Sequence, residues 1–411
     1  MKTVCVSSAP LSGEVAAPLS KSYAHRMLIA AALSGGSVFF GPSDDARRTA
    51  EGLVSLGFQG TFKGETVSFG AFMPSDSERE ICVGESGSTL RFLLPLATAL
   101  GVKATFITEG RLGERPMEPL LASLRAHGVT AEGSRVCGKL ASGEFQIDAT
   151  VSSQFVTGLL MALPLLDGDS EIVLRGEMVS APYVDITLDV LSRSGIEVKR
   201  TDRGFYLKGG QKYHAFSGGV PGDFSGAAFP LVAGALGKGV TVTGLDLTSV
   251  QGDKEVLSVL RAAGAKVQTD GARVTVKKGE LKAFRADIGA IPDLAPVLAV
   301  LAAYAKGESR FDKVGRLRDK ESDRLFAIRE MLRAAGISTR EEGDSLFVVG
   351  GAPKGGVFDS FSDHRMAMSE AVLAAFASGE STITDYTCVR KSYPEFWEDF
   401  AALGGKYEVE R

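Results

Sequence analysis

Along six stretches of the chain apolar residues do not alternate with polar ones but cover a whole helical circumference. These stretches are YAHRMLIAAALSGG, STLRFLLPLATALG, SSQFVTGLLMALPLL, SGAAFPLVAGALGKG, LAPVLAVLAAYAKG and HRMAMSEAVLAAFASG. A helix without a polar face has to be buried on all sides. Most of them run into Gly, the residue that best tolerates a left-handed helix cap. Each is followed by a short β-rich stretch: SVFF, KATFI, SEIVL, VTVTG, SRFD and STIT. An amphipathic helix comes next, ending in a turn such as LLASLRAHG or VLSVLRAAG. In the first five units two alternating strands then follow, as in AKVQTDGARVTVKKG, where Asp-Gly suits a hairpin.

The pattern predicts a β-α-β-α-β-β unit repeated six times, with buried helices starting near 23, 88, 153, 225, 294 and 364. Six such units divide into two α/β domains of three, with a break at SGGVPG (217–222). The sixth unit stops at KYEVER after one hairpin strand, and MKTVCVSS alternates like a strand without a unit of its own. The N-terminus is therefore expected to complete the sixth hairpin. That assigns 19–219 to one domain, and 1–18 with 220–411 to the other. Two crossovers, near Pro18 and near 219, would form a two-strand hinge. The alternative is a single irregular α/β domain.

Length and composition agree with this reading. A chain of 411 residues suggests about two domains. Hydrophobic residues make up 44% and charged residues 23%, ordinary for a globular fold. A formal charge of -4 argues against a broad nucleic-acid surface, so basic residues matter only where they gather. The longest apolar runs fall short of the roughly 20 residues a membrane span needs. No apolar segment follows a cationic start, so no secretory signal is expected. Cys5, Cys82, Cys137 and Cys388 are far apart and form no CxxC pair, which favours small buried thiols in a reducing, cytoplasmic setting.

The unusual residues gather at the starts of the six buried helices. Lys21 and Ser22 precede the first, GESGS (84–88) the second, and Ser152, Ser153 and Gln154 open the third. Asp223 and Ser225, then Pro292 and Asp293, then Asp363, His364 and Arg365 mark the other three. Helix N-termini carry free N–H groups and partial positive charge, so they favour anions. Capping alone accounts for Ser153, Ser225 and Asp293. It does not account for Lys21, Arg26, Arg91 and Arg365, cations that oppose the dipole unless an anion outweighs the repulsion. Arg111 and Arg115, Lys320 and Arg324, and Arg390 and Lys391 add charge of the same sign in loops. A small ligand with two or three negative charges fits that arrangement. There is no P-loop and no strand-linked GxGxxG. Of the histidines, His127 and His214 are expected on the surface, and His25 and His364 at the cleft.

Ten segments in order carry a family resemblance: SKSYAHR (20–26), GESGSTLR (84–91), ERPM (114–117), SSQF (152–155), SAPY (180–183), GDFSGAA (222–228), IPD (291–293), DKESDR (319–324), DHRMAM (363–368) and VRKSYPEFW (389–397). Over essentially its whole length the chain resembles the 5-enolpyruvylshikimate-3-phosphate synthase family. The resemblance implies two inside-out α/β domains, each of three repeats around a bundle of three buried parallel helices. It implies transfer of the enolpyruvyl group of phosphoenolpyruvate to the 5-hydroxyl of shikimate 3-phosphate, with no metal and no organic cofactor. Carried over by motif, Lys21, Ser22, Arg26, Ser152, Ser153, Gln154, Ser180, Tyr183, Asp293 and Lys320 would hold shikimate 3-phosphate. Lys21, Gly87, Arg115, Gln154, Arg324, Arg365 and Lys391 would hold phosphoenolpyruvate. Lys21 would bridge both substrates, and Asp293 and Glu321 would move protons. The implied partners are these two small molecules, with no nucleic acid and no membrane, and the implied state is a monomer.

Three positions depart from the family pattern: Leu19 and Arg316 stand where Gly and Asn are usual, and Glu85 replaces a common Asn. A carboxylate at 85 would repel an anionic substrate unless it is paired. The sister UDP-N-acetylglucosamine enolpyruvyl transferases usually carry a Cys before their Arg-Pro, whereas this chain reads RLGERP. An inactive relative that senses a metabolite is the alternative of another class. Intact Lys21, Asp293, Glu321 and Arg365 speak against it.

Overall fold

In the computed structural model, which describes residues 2–410, the all-round apolar stretches form six helices. Lys21–Ser34, Gly87–Ala99 and Ser153–Ala162 lie in a unit that spans Lys21–Val220. Phe224–Leu236, Ala295–Ala303 and His364–Phe376 lie in a second compact unit, made of the chain up to Ser20 and everything from Pro221 onward. Every residue of Phe224–Leu236 and of Ala295–Ala303 is buried. Each enclosed Leu, Val or Phe contributes about 1.5–3 kcal/mol, so these helices form the core of their unit rather than its wall. The third helix ends at Ala162, short of the expected run to Leu166. Pro164 has no N–H to continue the ladder, and Leu163–Leu165 becomes a 3₁₀ turn. Close approach has its own requirement. A Cβ at Gly158 would overlap the Arg91 carbonyl oxygen of the neighbouring helix, so only glycine fits there.

Among the described residues six four-stranded sheets accompany these helices. Each has the same order, seen in the third: a parallel leading strand Glu144–Asp148, then Ser170–Arg175 from behind the inner helix, then the antiparallel hairpin strands Gly204–Leu207 and Val198–Arg200. In the sixth sheet Thr3–Ser7 takes the missing hairpin position, antiparallel to both Ser381–Thr384 and Lys406–Val409.

Two leading strands were not expected. Ser12–Ala16 runs parallel to Gly239–Thr243 and leads the fourth sheet. Ser217–Gly219, read from sequence as part of a break, runs parallel to Ser37–Phe39 and leads the first. The first and fourth units have no segment of their own unit just ahead of them. The passing chain fills the empty edge and satisfies its backbone groups. The division falls after Ser20 and after Val220, compared with 18 and 219 from sequence. The reason is local: Ser20 N donates to Pro221 O at 2.8 Å, Asp223 N to Pro18 O at 2.8 Å, and Leu19 bridges Gly222 in antiparallel fashion. Among the described residues no helix is long and apolar enough to cross a membrane.

Candidate functional site

In the Lys21–Val220 unit the polar residues at the helix starts form one hydrogen-bonded group. Ser152 caps the third inner helix, accepting from Gln154 N. The Gln154 side chain then links its neighbours: Arg91 Nη1 donates to its Oε1 at 2.6 Å, and its Nε2 donates to Ser88 Oγ at 2.9 Å. Contacts between residues at the start of each helix show that the two run parallel. Gly87 opens the second inner helix, with Ser86 as its cap. A Cβ at Gly87 would stand 2.9 Å from Arg115 Nη1 and 3.3 Å from Arg91 Nη1. Two guanidinium groups thus share the space above a helix N-terminus, where an anion is favoured three times over.

Lys21 and Arg26 differ in what holds them. Lys21 Nζ forms a 2.8 Å ion pair with Asp45 Oδ2, and both side chains are only partly exposed. The sequence reading did not find Asp45. Its signal was the acidic first turn of the outer helix Asp44–Leu56, capped by Ser43. Arg26 is 2% exposed and donates to Thr187 Oγ1 (2.7 Å), Ser22 O (2.6 Å), Tyr183 O (2.9 Å) and Thr157 Oγ1 (3.3 Å). Burial pushes its guanidinium down to about 9. Arg26 therefore ties the first inner helix to the helix Pro182–Arg193. Ser180, just before that helix, sits at φ 52 and is buried. A non-glycine residue held there marks local strain that its surroundings must stabilise.

His25 and His364 were expected at the cleft, but both are 1% exposed. Each lies on the side of a helix that packs on all faces. His25 Nδ1 meets Thr49 Oγ1 at 2.6 Å, and burial, with Lys21 and Arg26 nearby, drives its pKa well below the usual value. It is a neutral core group. His214 is exposed, and His127 stacks half-buried on Phe145 at 3.7 Å.

The second unit gathers cations at the same kind of helix start but satisfies them with carboxylates. Arg324 is wholly enclosed. It donates to Asp293 Oδ1 (2.8 Å), Glu321 Oε2 (2.6 Å) and Asp363 Oδ2 (2.7 Å). Asp363 is the cap of the helix His364–Phe376, accepting from Arg365 N, and Ser322 Oγ also donates to it at 3.1 Å. Arg365 reaches across to both neighbouring inner helices, donating to Ser225 Oγ (2.6 Å) and Asp293 Oδ2 (2.9 Å). Three helix starts therefore converge on Asp293. Burial alone would raise its pKa, but Arg365, Lys320 and Arg324 outweigh that and hold it well below the usual carboxylate range. Lys320 Nζ lies 3.8 Å from Asp293 Oδ1, and burial pushes its pKa down to about 8 despite that attraction. Arg316 is close enough to Lys320 to add to the lowering. Lys391 Nζ donates to Ser362 O at 2.9 Å. Phe361 and Ser362, at φ 52 and 54, form a strained lead into the Asp363 cap.

The candidate residues thus fall into two groups. Lys21, Ser22, Arg26, Gly87, Arg115, Ser152, Ser153, Gln154, Ser180 and Tyr183 lie in the first unit, and Asp293, Lys320, Glu321, Arg324, Arg365 and Lys391 in the second. Glu370 was missed altogether. It is completely buried on the sixth inner helix, and neither carboxylate oxygen has a hydrogen-bond partner. A single acid in a helix apolar all round gives no periodic signal.

The chain is 41% identical to the 3-phosphoshikimate 1-carboxyvinyltransferase of Clostridium kluyveri over 422 residues, covering 99% of both chains. It is 39% identical to the enzyme of the same name from Clostridium perfringens, covering 98% of this chain and 99% of the relative. Among solved structures, an EPSP synthase from Acinetobacter baumannii superposes with a TM-score of 0.83 at 24% identity, covering 100% of both chains. The enolpyruvyl transferase NikO from Streptomyces tendae gives 0.78 at 19%, covering 99% of this chain and 98% of NikO. These two likenesses speak for the fold alone. The model of the EPSP synthase (3-phosphoshikimate 1-carboxyvinyltransferase) family matches residues 6–400, and the chain belongs to that family.

Proposed function

We propose that this chain transfers the enolpyruvyl group of phosphoenolpyruvate to the 5-hydroxyl of shikimate 3-phosphate and releases phosphate. The observation that carries the reading is the Gly87 helix start under Arg91 and Arg115, combined with Asp293 between Arg324 and Arg365. Both substrates are multiply charged anions. The cations of the first unit, Lys21, Arg91 and Arg115, suit their phosphates and carboxylate. The reaction itself needs protons to move. The 5-hydroxyl oxygen bonds to C2 of phosphoenolpyruvate while C3 takes a proton and becomes a methyl group. That methyl then loses a proton as the C2–O bond to phosphate breaks, which restores the double bond.

Asp293, held ionised by its cations, suits the role of the acceptor that orients the 5-hydroxyl and takes its proton once the forming C–O bond has made that proton acidic. Glu321, bonded to Arg324 through one oxygen and only partly enclosed, suits the role of the acid that protonates C3 and then accepts the proton back. Arg324 fixes the spacing of both carboxylates. This reading assigns residues of both units to one reaction, with shikimate 3-phosphate chiefly on 19–219 and proton transfer on 220–411. A hinge at the paired segments around Leu19 and Gly222 would let each half meet the substrates. It further takes the enzyme to be a cytoplasmic monomer, in keeping with four unpaired thiols. A coupled assay for phosphate release tests the function. Release should require both substrates, and release with neither or with UDP-N-acetylglucosamine in place of shikimate 3-phosphate would refute it.

A further inference from the structure

Glu85 poses a physical problem, because it places a carboxylate two residues before Gly87, where the helix start and two guanidiniums favour an anion. The structure shows where that carboxylate goes. It lies on Gly110: a Cβ at Gly110 would overlap Glu85 Oε1 and stand 2.9 Å from its Cδ. Gly110 has φ 54 and opens the 3₁₀ turn Gly110–Glu114. The same turn delivers Arg115, whose N–H donates back to Leu112 O and whose guanidinium returns to the space above Gly87. The backbone adds one more tie, Glu109 N donating to Gly84 O at 2.8 Å. The turn is therefore attached to 84–87 at both ends, by Glu85 on Gly110 and by Arg115 over Gly87.

We propose that Glu85 is a positioning residue that seats the Gly110–Glu114 turn and so holds Arg115 over the Gly87 helix start, where phosphoenolpyruvate would bind. The inference rests on the proposed function for the identity of the anion, but not for the seating itself. It also gives the Glu85 side chain a place beside the anion site: it packs on the turn. The competing account is that Glu85 merely repels the ligand. The two accounts predict opposite signs.

The test compares Glu85→Ala and Glu85→Gln with the unaltered chain by hydrogen exchange and by steady-state kinetics. Seating predicts faster amide exchange confined to 110–115 in Glu85→Ala. It also predicts a KM for phosphoenolpyruvate raised about tenfold, the scale of a partly lost charge-assisted contact. The KM for shikimate 3-phosphate should stay within about twofold, and Glu85→Gln, with the same shape, should recover most of the loss. Unchanged exchange in 110–115, or a lowered KM for phosphoenolpyruvate in both variants, would overturn the proposal. A loosened turn with an unchanged KM would overturn the link to Arg115. An unaltered chain that fails to turn over these substrates would sink the function instead, and exchange alone would then decide the seating.

Discussion

The two units build the same device, inner helices whose N-termini carry cations, and satisfy it in opposite ways. In the Lys21–Val220 unit the guanidiniums of Arg26 and Arg91 rest on hydroxyls, backbone carbonyls and the Gln154 amide, while Lys21 meets a carboxylate, Asp45. In the second unit Arg324 and Arg365 meet Asp293, Glu321 and Asp363. Neutral acceptors orient a cation without neutralising it, which leaves a field for binding anions. Carboxylates neutralise the cation and, as at Asp293, have their proton affinity set by it, the kind of tuning that proton-transfer groups depend on. On the proposed function, one repeat would then yield a binding half and a chemical half, and the choice would lie in a few side chains rather than in the fold.

If that division holds, the largest effect belongs to Glu321. Glu321→Gln should slow turnover by roughly 10²- to 10⁴-fold, the usual reach of a general acid–base group. Calorimetric affinity for shikimate 3-phosphate should change little, and lost affinity at a retained rate would take Glu321 out of the chemistry. Next comes Asp363→Ala, which removes one of three carboxylates from the enclosed Arg324 together with the cap of His364–Phe376, and should cost about 3–5 kcal/mol in denaturant unfolding. A loss within the range of a surface substitution would mean that Arg324 is compensated elsewhere. Arg115→Ala tests the binding half. Loss of a charge-assisted contact worth about 1.5–3 kcal/mol should lower kcat/KM by roughly 10- to 150-fold. Melting should shift little, because Arg115 is only half-buried beside another guanidinium. Wild-type kinetics would remove it from the anion site.

Much of this was legible in the sequence, and the reason is the core. A helix apolar on every side can only be internal, so the six inner helices stood out, with starts within two residues of those observed. The cations at their starts were legible because they oppose the dipole. The partners were not. Asp45 lies 24 residues from Lys21, and Thr157 and Thr187 lie 131 and 161 residues from Arg26, pairings that only the packed unit reveals. Ser12–Ala16 and Ser217–Gly219 were missed as strands because they are short, contain Gly and pair with strands far away in sequence.

Glu370 offers the smallest effect and sharpens the electrostatic contrast. Burial, reinforced by Asp359 and Asp363, raises its pKa well above the ordinary Glu value. The folded chain then prefers it protonated. Its contribution is fully present below the unfolded pKa of about 4.3 and is lost as pH rises towards the raised folded value. Glu370→Gln should therefore melt higher than the parent at pH 7.5, with the gap closing near pH 4. A gap independent of pH would show that packing, not ionisation, is responsible.

The central claim is that carboxylates of the second unit add a proton to C3 and later remove one, so that the reaction passes through a methyl group. Turnover in D₂O tests this most directly, read by mass spectrometry or proton NMR of the product's vinyl group. Carboxyl protons exchange with solvent before substrates bind, so the account predicts deuterium in the vinyl CH₂ of the product, formed at a rate that falls in Glu321→Gln. A product free of deuterium would contradict it, because a direct displacement at C2 never touches C3.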